Sequence, residues 1–252
     1  MTATVLLMNG VAVETARPRP TVELRLLNGF HLSTGGRTID LPSSAERLLA
    51  YLAIQDGPVR RYQASSTLWI DATDEHAAAS LRSALWRLRQ PGHPLVAATV
   101  TQVGLAPDVV VDLTASTRLA RGLVAGLRVG DLPGDAVAAL DEDVLPGWYD
   151  DDWVVFSRER WRQLRMHALE ALAGMLAKDG RYGEAVDAAY AAVRVEPLRE
   201  SAHRALIAVH LAEGNRSEAL REYRTFARML RDELDVTPSP HLTALVAPLT
   251  VR

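Results

Sequence analysis

Residues 75–90 read EHAAASLRSALWRLRQ, and the spacing of their apolar residues decides the fold. Ala78, Leu81, Ala84, Leu85 and Leu88 recur at helical intervals and predict one buried stripe. Opposite the stripe stand His76, Ala79, Ser83, Trp86, Arg87 and Gln90, with Arg82 and Arg89 on the flanks. A helix that exposes guanidinium, amide, hydroxyl and methyl groups together suits a DNA major groove. Arginine matches the guanine edge, glutamine the adenine edge, and alanine a thymine methyl. An ordinary amphipathic helix with a solvated charged side is the alternative, and the neighbouring segments must decide.

Just upstream, residues 61–69 predict a helix with Tyr62, Leu68 and Trp69 facing inward. Its start is unusual: Arg60 and Arg61 stand where a capping Ser, Thr, Asp or Asn is expected. Two cations at the positive end of a helix dipole are unfavourable unless an anion docks there, and a DNA phosphate fits. The alternative is that both point into water. Before them, Pro42-Ser43-Ser44-Ala45-Glu46 opens a helix with Leu48, Leu49, Leu52 and Ala53 buried, which Ser43 can cap in a capping box with Glu46. Asp56-Gly57-Pro58 stops that helix. Residues 22–41 alternate in short segments (VELRLL, FHLS, TIDL) around a Gly35-Gly36 turn, as a small antiparallel sheet does. Downstream, residues 95–98 and 101–105 form a hairpin, followed by VVVDL at 109–113. Strands, three helices and a hairpin make a winged helix-turn-helix over residues 22–108, behind a tail at 1–21 that ends in Ala-Arg-Pro-Arg-Pro.

Residues 109–252 read as all-α, so the fold class is mainly α with small β. Asp112 caps a helix running to about residue 127, a short helix lies near 136–140, and Asp151 and Asp152 precede a long helix over 153–178. GRYGEA at 180–185 recurs as GNRSEA at 214–219, an offset of 34 residues, which is the period of tetratricopeptide helix pairs. Leu172 maps onto Leu206 and Met175 onto Val209 at the same offset, and Pro197 and Pro238 punctuate the hairpins. Such hairpins must stack to bury their apolar faces.

The totals restrict the function. With 48% hydrophobic and 23% charged residues in 252, the composition is that of a soluble globular protein of one or two domains. No cysteine is present, which excludes disulfides and thiolate metal sites. No apolar run reaches the roughly 20 residues of a membrane span, and residues 5–13 lack the preceding basic residue of a signal peptide, so a cytoplasmic protein is expected. Residues 1–105 carry 10 Arg against 8 acidic residues, whereas 106–252 carry 18 basic against 23 acidic ones. A mildly basic front half and an acidic back half fit a DNA reader joined to a protein-contacting module. The single lysine, Lys178, is followed by Asp179, which rules out a GxxxxGK[ST] phosphate loop. HExxH, GxSxG and GxGxxG motifs are also missing. The acidic clusters Asp141-Glu142-Asp143 and Asp150-Asp151-Asp152 read as structural, with Asp151 and Asp152 suited to a helix start; His203 and His210 read as ordinary helix residues. No catalytic residue, cofactor or metal is expected.

Several segments together resemble the antibiotic-regulatory proteins (SARP) of GC-rich bacteria. They are LRLLNGF from Leu24, TLW at 67–69, SLRSALWRLR at 80–89, VDL from Val111, LPGWYDDDWV from Leu145, ERWRQLRMHALEAL from Glu159, PLRESAHRALIAVHLAEGNRSEALREY from Pro197 and DELDVTPSPHL from Asp232. No single segment is strict, but their order and spacing over residues 22–245 are specific. The resemblance implies an OmpR-type winged helix joined to a bacterial transcriptional activation domain of tetratricopeptide-like helices. It also implies a stand-alone activator that binds direct repeats in double-stranded promoter DNA, with a homodimer on DNA as a further option, and contacts RNA polymerase. Larger relatives append an ATPase module, which the missing phosphate loop and the length of the chain argue against.

The base-reading candidates are Ala79, Ser83, Trp86, Arg87 and Gln90, with Arg60, Arg61, Arg82 and Arg89 on phosphates. Trp86 has a competing role, packing against the wing or the helical half. The wing departs from the usual pattern: residues 95–105 hold no Lys or Arg, and Thr99, Thr101 and Gln102 are their only polar side chains. A repressor of the same architecture, or a tetratricopeptide adaptor that does not bind DNA, are the alternatives.

Overall fold

The computed structural model describes residues 21–55, 57–89 and 92–250, so residues 1–20 of the expected tail and the candidate Gln90 lie outside the described residues. Seven strands and ten α-helices follow one another among those residues. β1 (Val22–Arg25), β2 (His31–Thr34) and β3 (Arg37–Thr38) pair antiparallel in sequence order, as the alternation predicts. β7 (Val109–Val111), assigned from sequence to the helical half, joins this sheet in parallel with β1, Val22 opposite Val109 and Leu24 opposite Val111. The sheet order is β3-β2-β1-β7, a mixed sheet with one parallel edge.

Three helices pack against one another below it: α1 (Ser43–Ile54), α2 (Arg61–Leu68) and α3 (Asp74–Arg87). The expected capping box at Ser43 does not form. Pro42 occupies the cap position (φ −65°, ψ 146°), its carbonyl accepting from Ala45 and Glu46, so Ser43 already lies inside the helix. Proline suits that place because its missing N–H would be unsatisfied there. The wing consists of β5 (Val96–Ala98) and β6 (Gln102–Leu105), to which the two-residue β4 (Val59–Arg60) adds a third antiparallel strand. Gly104 permits this closeness, since a Cβ there would lie 3.2 Å from the Pro58 Cα.

The second half holds α4 (Asp112–Val124), the short α5 (Ala138–Asp141), α6 (Asp152–Lys178), α7 (Tyr182–Val195), α8 (Glu200–Glu213), α9 (Arg216–Leu234) and α10 (Pro240–Thr250). The 34-residue repeat is visible in the structure: α7 and α9 start at Tyr182 and Arg216, each after a left-handed glycine (Gly180 φ 78°, Gly214 φ 88°). Leu172, Leu206 and Val209 are buried where the repeat predicts. A second, smaller core gathers Ile207, Ala219, Phe226, Leu230, Leu242 and Val246 beneath α10, and the buried His203 stacks on Phe226 at 4.0 Å.

Two acidic capping expectations, at Asp112 and Asp151, resolve differently from their sequence reading, and the 141–143 cluster is structural as expected. Asp112 is the first residue of α4, and its carboxylate accepts the backbone N–H of Leu26 (2.9 Å) and Leu27 (3.1 Å) as well as that of Leu113 (2.6 Å). It ties the end of β1 to the helical half. Asp151 makes no cap hydrogen bond; it takes the Arg47 guanidinium of α1 at 2.5 Å and the Trp153 indole N–H at 2.9 Å. The cluster at 141–143 is held by arginines: Arg194 pairs with Asp141 at 2.7 Å, and the buried Arg165 lies 3.7 Å from Asp143. Tyr51, Trp148, Trp153 and Phe30 form an aromatic chain across the same junction.

On the surface of α6, hydrogen bonds from Arg162 and then Gln163 hold the Glu159 carboxyl down at about 2. Because that value lies below the ordinary one, the contact's contribution is present above the ordinary carboxylate range and disappears as pH falls towards 2. A carbon-detected NMR titration should place the Glu159 midpoint near 2, and Arg162→Ala should return it towards the usual range.

Candidate nucleic-acid interface

The rotation of α3 about its axis is set by Ala77, Leu81, Ala84, Leu85 and Leu88, all buried against α1 and α2. Ala77 replaces the expected Ala78 at the first position of the stripe, and Ala78 is half-buried. With that side fixed, Ala79, Arg82, Ser83, Trp86, Arg87 and Arg89 all face solvent. The structure therefore brings together every described base-reading candidate on one open helix face, with two arginines beside it. Trp86 is 62% exposed, so its expected packing role against the wing or the helical half is not realised. It lies on the side of α3 away from the buried stripe.

The N-terminus of α3 is capped by Thr73, whose hydroxyl accepts from the His76 amide, and Asp74 and Glu75 occupy the first turn. Those carboxylates suit the positive end of the dipole and leave the cations to the middle and far end of the helix, at Arg82, Arg87 and Arg89. The candidate base-reading surface is therefore polarised along its axis.

α2 begins without a side-chain cap, as its two arginines imply. Arg60 ends β4 opposite Gln102, and its side chain is exposed. The Arg61 amide donates to Thr101 O (2.9 Å), and its guanidinium to Thr99 O (3.2 Å). The wing lacks a cation of its own, but Arg61 sits beside its turn. At that turn Thr99 accepts through its hydroxyl from the Gln102 amide at 3.0 Å, and Val100 projects at its tip, 93% exposed. Tyr62 stands 66% exposed in the first turn of α2, against the expectation that it faces inward; Ala64, Ser65 and Leu68 fill that place. Periodicity over eight residues fits either rotation of the helix, and the small Ala64 and Ser65 are the residues buried here.

The helical half docks elsewhere. Its contacts run through α1, by Arg47–Asp151 and Tyr51–Trp153, and through the β1 end, by Asp112. None of these residues belongs to the open face of α3. Sequence reasoning missed Arg47, whose partner lies 104 residues away, and no local signal marks such a pair. It also passed over an arginine row on α9, where Arg221, Arg224, Arg228 and Arg231 recur three and four residues apart and are all exposed. Among the described residues no group of His, Asp and Glu is arranged to hold a metal, and no helix is long and apolar enough to cross a membrane.

A family model described as bacterial transcriptional activator domain matches residues 111–249. The chain belongs to that family. Members of the bacterial transcriptional activator domain family provide the helical half seen here, from the last residue of β7 to α10. Regulatory protein AfsR of Streptomyces coelicolor is 29% identical over 221 residues, which is 83% of this chain and 22% of that protein. Regulatory protein AfsR of Streptomyces griseus is 29% identical over 137 residues, 53% of this chain and 14% of that protein. The chain thus spans a fifth or so of the length of these relatives. The solved structure of Mycobacterium tuberculosis EmbR in complex with low affinity phosphopeptide shares the fold, with a TM-score of 0.67, 22% identity, and coverage of 90% of this chain and 64% of that one. The resemblance to the antibiotic-regulatory proteins holds: the helical half matches the bacterial transcriptional activator domain, and the relatives that the chain resembles are regulatory proteins.

Proposed function

We propose that the chain is a sequence-specific DNA-binding transcriptional activator in which residues 22–108 supply the DNA-reading head and 109–252 the helical body. The single observation that carries this reading is the uncovered face of α3, where Ala79, Ser83, Trp86 and Arg87 stand between Arg82 and Arg89. Arg87 and Ser83 meet base edges, Ala79 and Trp86 give apolar contacts, and Gln90 is a further base-reading candidate. Arg82, Arg89, Arg60 and Arg61 hold phosphates on either side, with Tyr62 placed to add a hydroxyl donor. Direct repeats in double-stranded promoter DNA are the target, bound by one copy per repeat, with or without pairing of the two copies. RNA polymerase is the partner recruited by the bound protein.

A binding titration on DNA from the protein's own promoter region tests the reading. Affinity should fall steeply with salt as phosphate-bound counterions are released, and Arg87→Ala should lose about 1–3 kcal/mol on the specific site while changing non-specific binding little. Arg82→Ala should weaken all DNA alike and flatten the salt dependence by about one unit. Weak binding without preference among sequences contradicts the proposal and returns the chain to an adaptor role. In vitro transcription with purified polymerase then separates an activator from a repressor.

A further inference from the structure

Where the C-terminal end of α1 meets α4 and α6, the structure contains a cleft of about 320 Å³. It belongs to neither the α3 face nor the wing. Trp161 and Leu164 of α6 form its apolar floor, and the Trp161 indole N–H is already taken by the Glu142 carbonyl at 2.9 Å. Arg118 and Arg121 of α4 and Arg160 of α6, all exposed, line the cleft together with Thr117. Among the described residues no Asp or Glu lines the cleft.

That charge arrangement needs an explanation. Arg118 and Arg121 are three residues apart on one helix face, and like charges at that spacing repel. They are placed so in the half of the chain where acidic residues outnumber basic ones, 23 to 18. Four other arginines of that half, Arg162, Arg181, Arg194 and Arg199, meet carboxylates, whereas neither Arg118 nor Arg121 has a carboxylate in the cleft lining. A pair of forked guanidiniums over an apolar floor matches one ligand chemistry, a planar carboxylate carried on an apolar body. The volume suits a ligand of one or two rings, and junctions between packed units are where such sites occur.

We propose that this cleft is a binding site for a small aromatic or aliphatic carboxylate. The carboxylate is held by Arg118 and Arg121 and the apolar body lies against Trp161 and Leu164. A ligand seated there touches α1 of the DNA-reading head and both α4 and α6 of the helical body, so it stabilises their docked arrangement.

The probe is 2-naphthoate, titrated into the full chain by calorimetry and by thermal melting. Its neutral isostere 2-naphthamide serves as the comparison. The expected result is saturable 2-naphthoate binding that raises the melting temperature, with the amide weaker by about tenfold or more because it cannot use the charge-assisted bonds. Arg118→Ala with Arg121→Ala should weaken 2-naphthoate by about tenfold or more. Both residues are exposed, so the fold is retained, which circular dichroism checks. Leu164→Trp should fill the floor and abolish binding with the charges intact, whereas Arg228→Ala on α9 should change nothing. Equal binding of the amide, unchanged affinity in the arginine variant, or no saturation by about 5 mM overturns the proposal.

Discussion

Phe226→Ala should destabilise the C-terminal helices by about 3–5 kcal/mol, from lost burial plus the cavity left behind. Phe226 is fully buried and is the largest residue of the small core that holds α8, α9 and α10 together. It also stacks on His203, an aromatic contact worth about 0.5–1.5 kcal/mol beyond its area. His203 retains its bonds to Glu222 at 2.6 Å and the Pro197 carbonyl at 2.8 Å, so its position outlasts the loss. Because this core is separate from the main one, the variant should unfold in two steps. Tyrosine signals from Tyr223 should move at lower denaturant than tryptophan signals, since Trp148, Trp153 and Trp161 all belong to or pack on the main core. A single coincident transition at unchanged midpoint contradicts this division.

Asp112→Ala should cost about 2–6 kcal/mol, since it strips the acceptor from the long-range backbone amides of Leu26 and Leu27, at about 1–3 kcal/mol for each donor left unpaired. Burial, the largest influence, pushes the Asp112 carboxyl above its ordinary value, and the three amides and Arg25 only partly offset it. A raised carboxyl contributes stability that is present below the ordinary range and lost as pH rises through the shifted value. The stability gap between the wild type and Asp112→Asn should therefore widen on acidification from about pH 6 to pH 4, as chemical denaturation at each pH will measure. A gap that narrows refutes the assignment of burial as the dominant influence. Hydrogen exchange at Leu26 and Leu27 should accelerate in the alanine variant before that of the α3 amides.

The sequence made the head's three helices, the hairpin and the 34-residue repeat legible because each carries its own period or turn residues. The stripe of α3 spans more than three turns, so its rotation could be read to within one residue, Ala77 for Ala78. Shorter or non-local features resisted. α2 is eight residues long, too short for Tyr62 to be placed by periodicity. The capping box at Ser43 had the right letters, but the chain entered the helix one residue earlier, through Pro42. Arg61 was legible as a cation at a helix start, yet its seat beside the Thr99 carbonyl depends on β4 joining the wing, a pairing across about 40 residues. The open state of Trp86 follows from where the helical half docks, and that depends on Arg47, Asp151 and Asp112 meeting across long sequence separations.

The parallel strand β7 also sets an order of events during synthesis. A nascent chain emerging from the ribosome displays β1, all three head helices and the wing before residues 109–112 are free of the exit tunnel. Until then β1 offers an unsatisfied edge on its β7 side, open to pairing with a neighbouring copy on the same message. Fragments cut at residue 108 inherit that bare edge permanently, and extending them through Asp112 restores both the missing strand and the carboxylate that locks it.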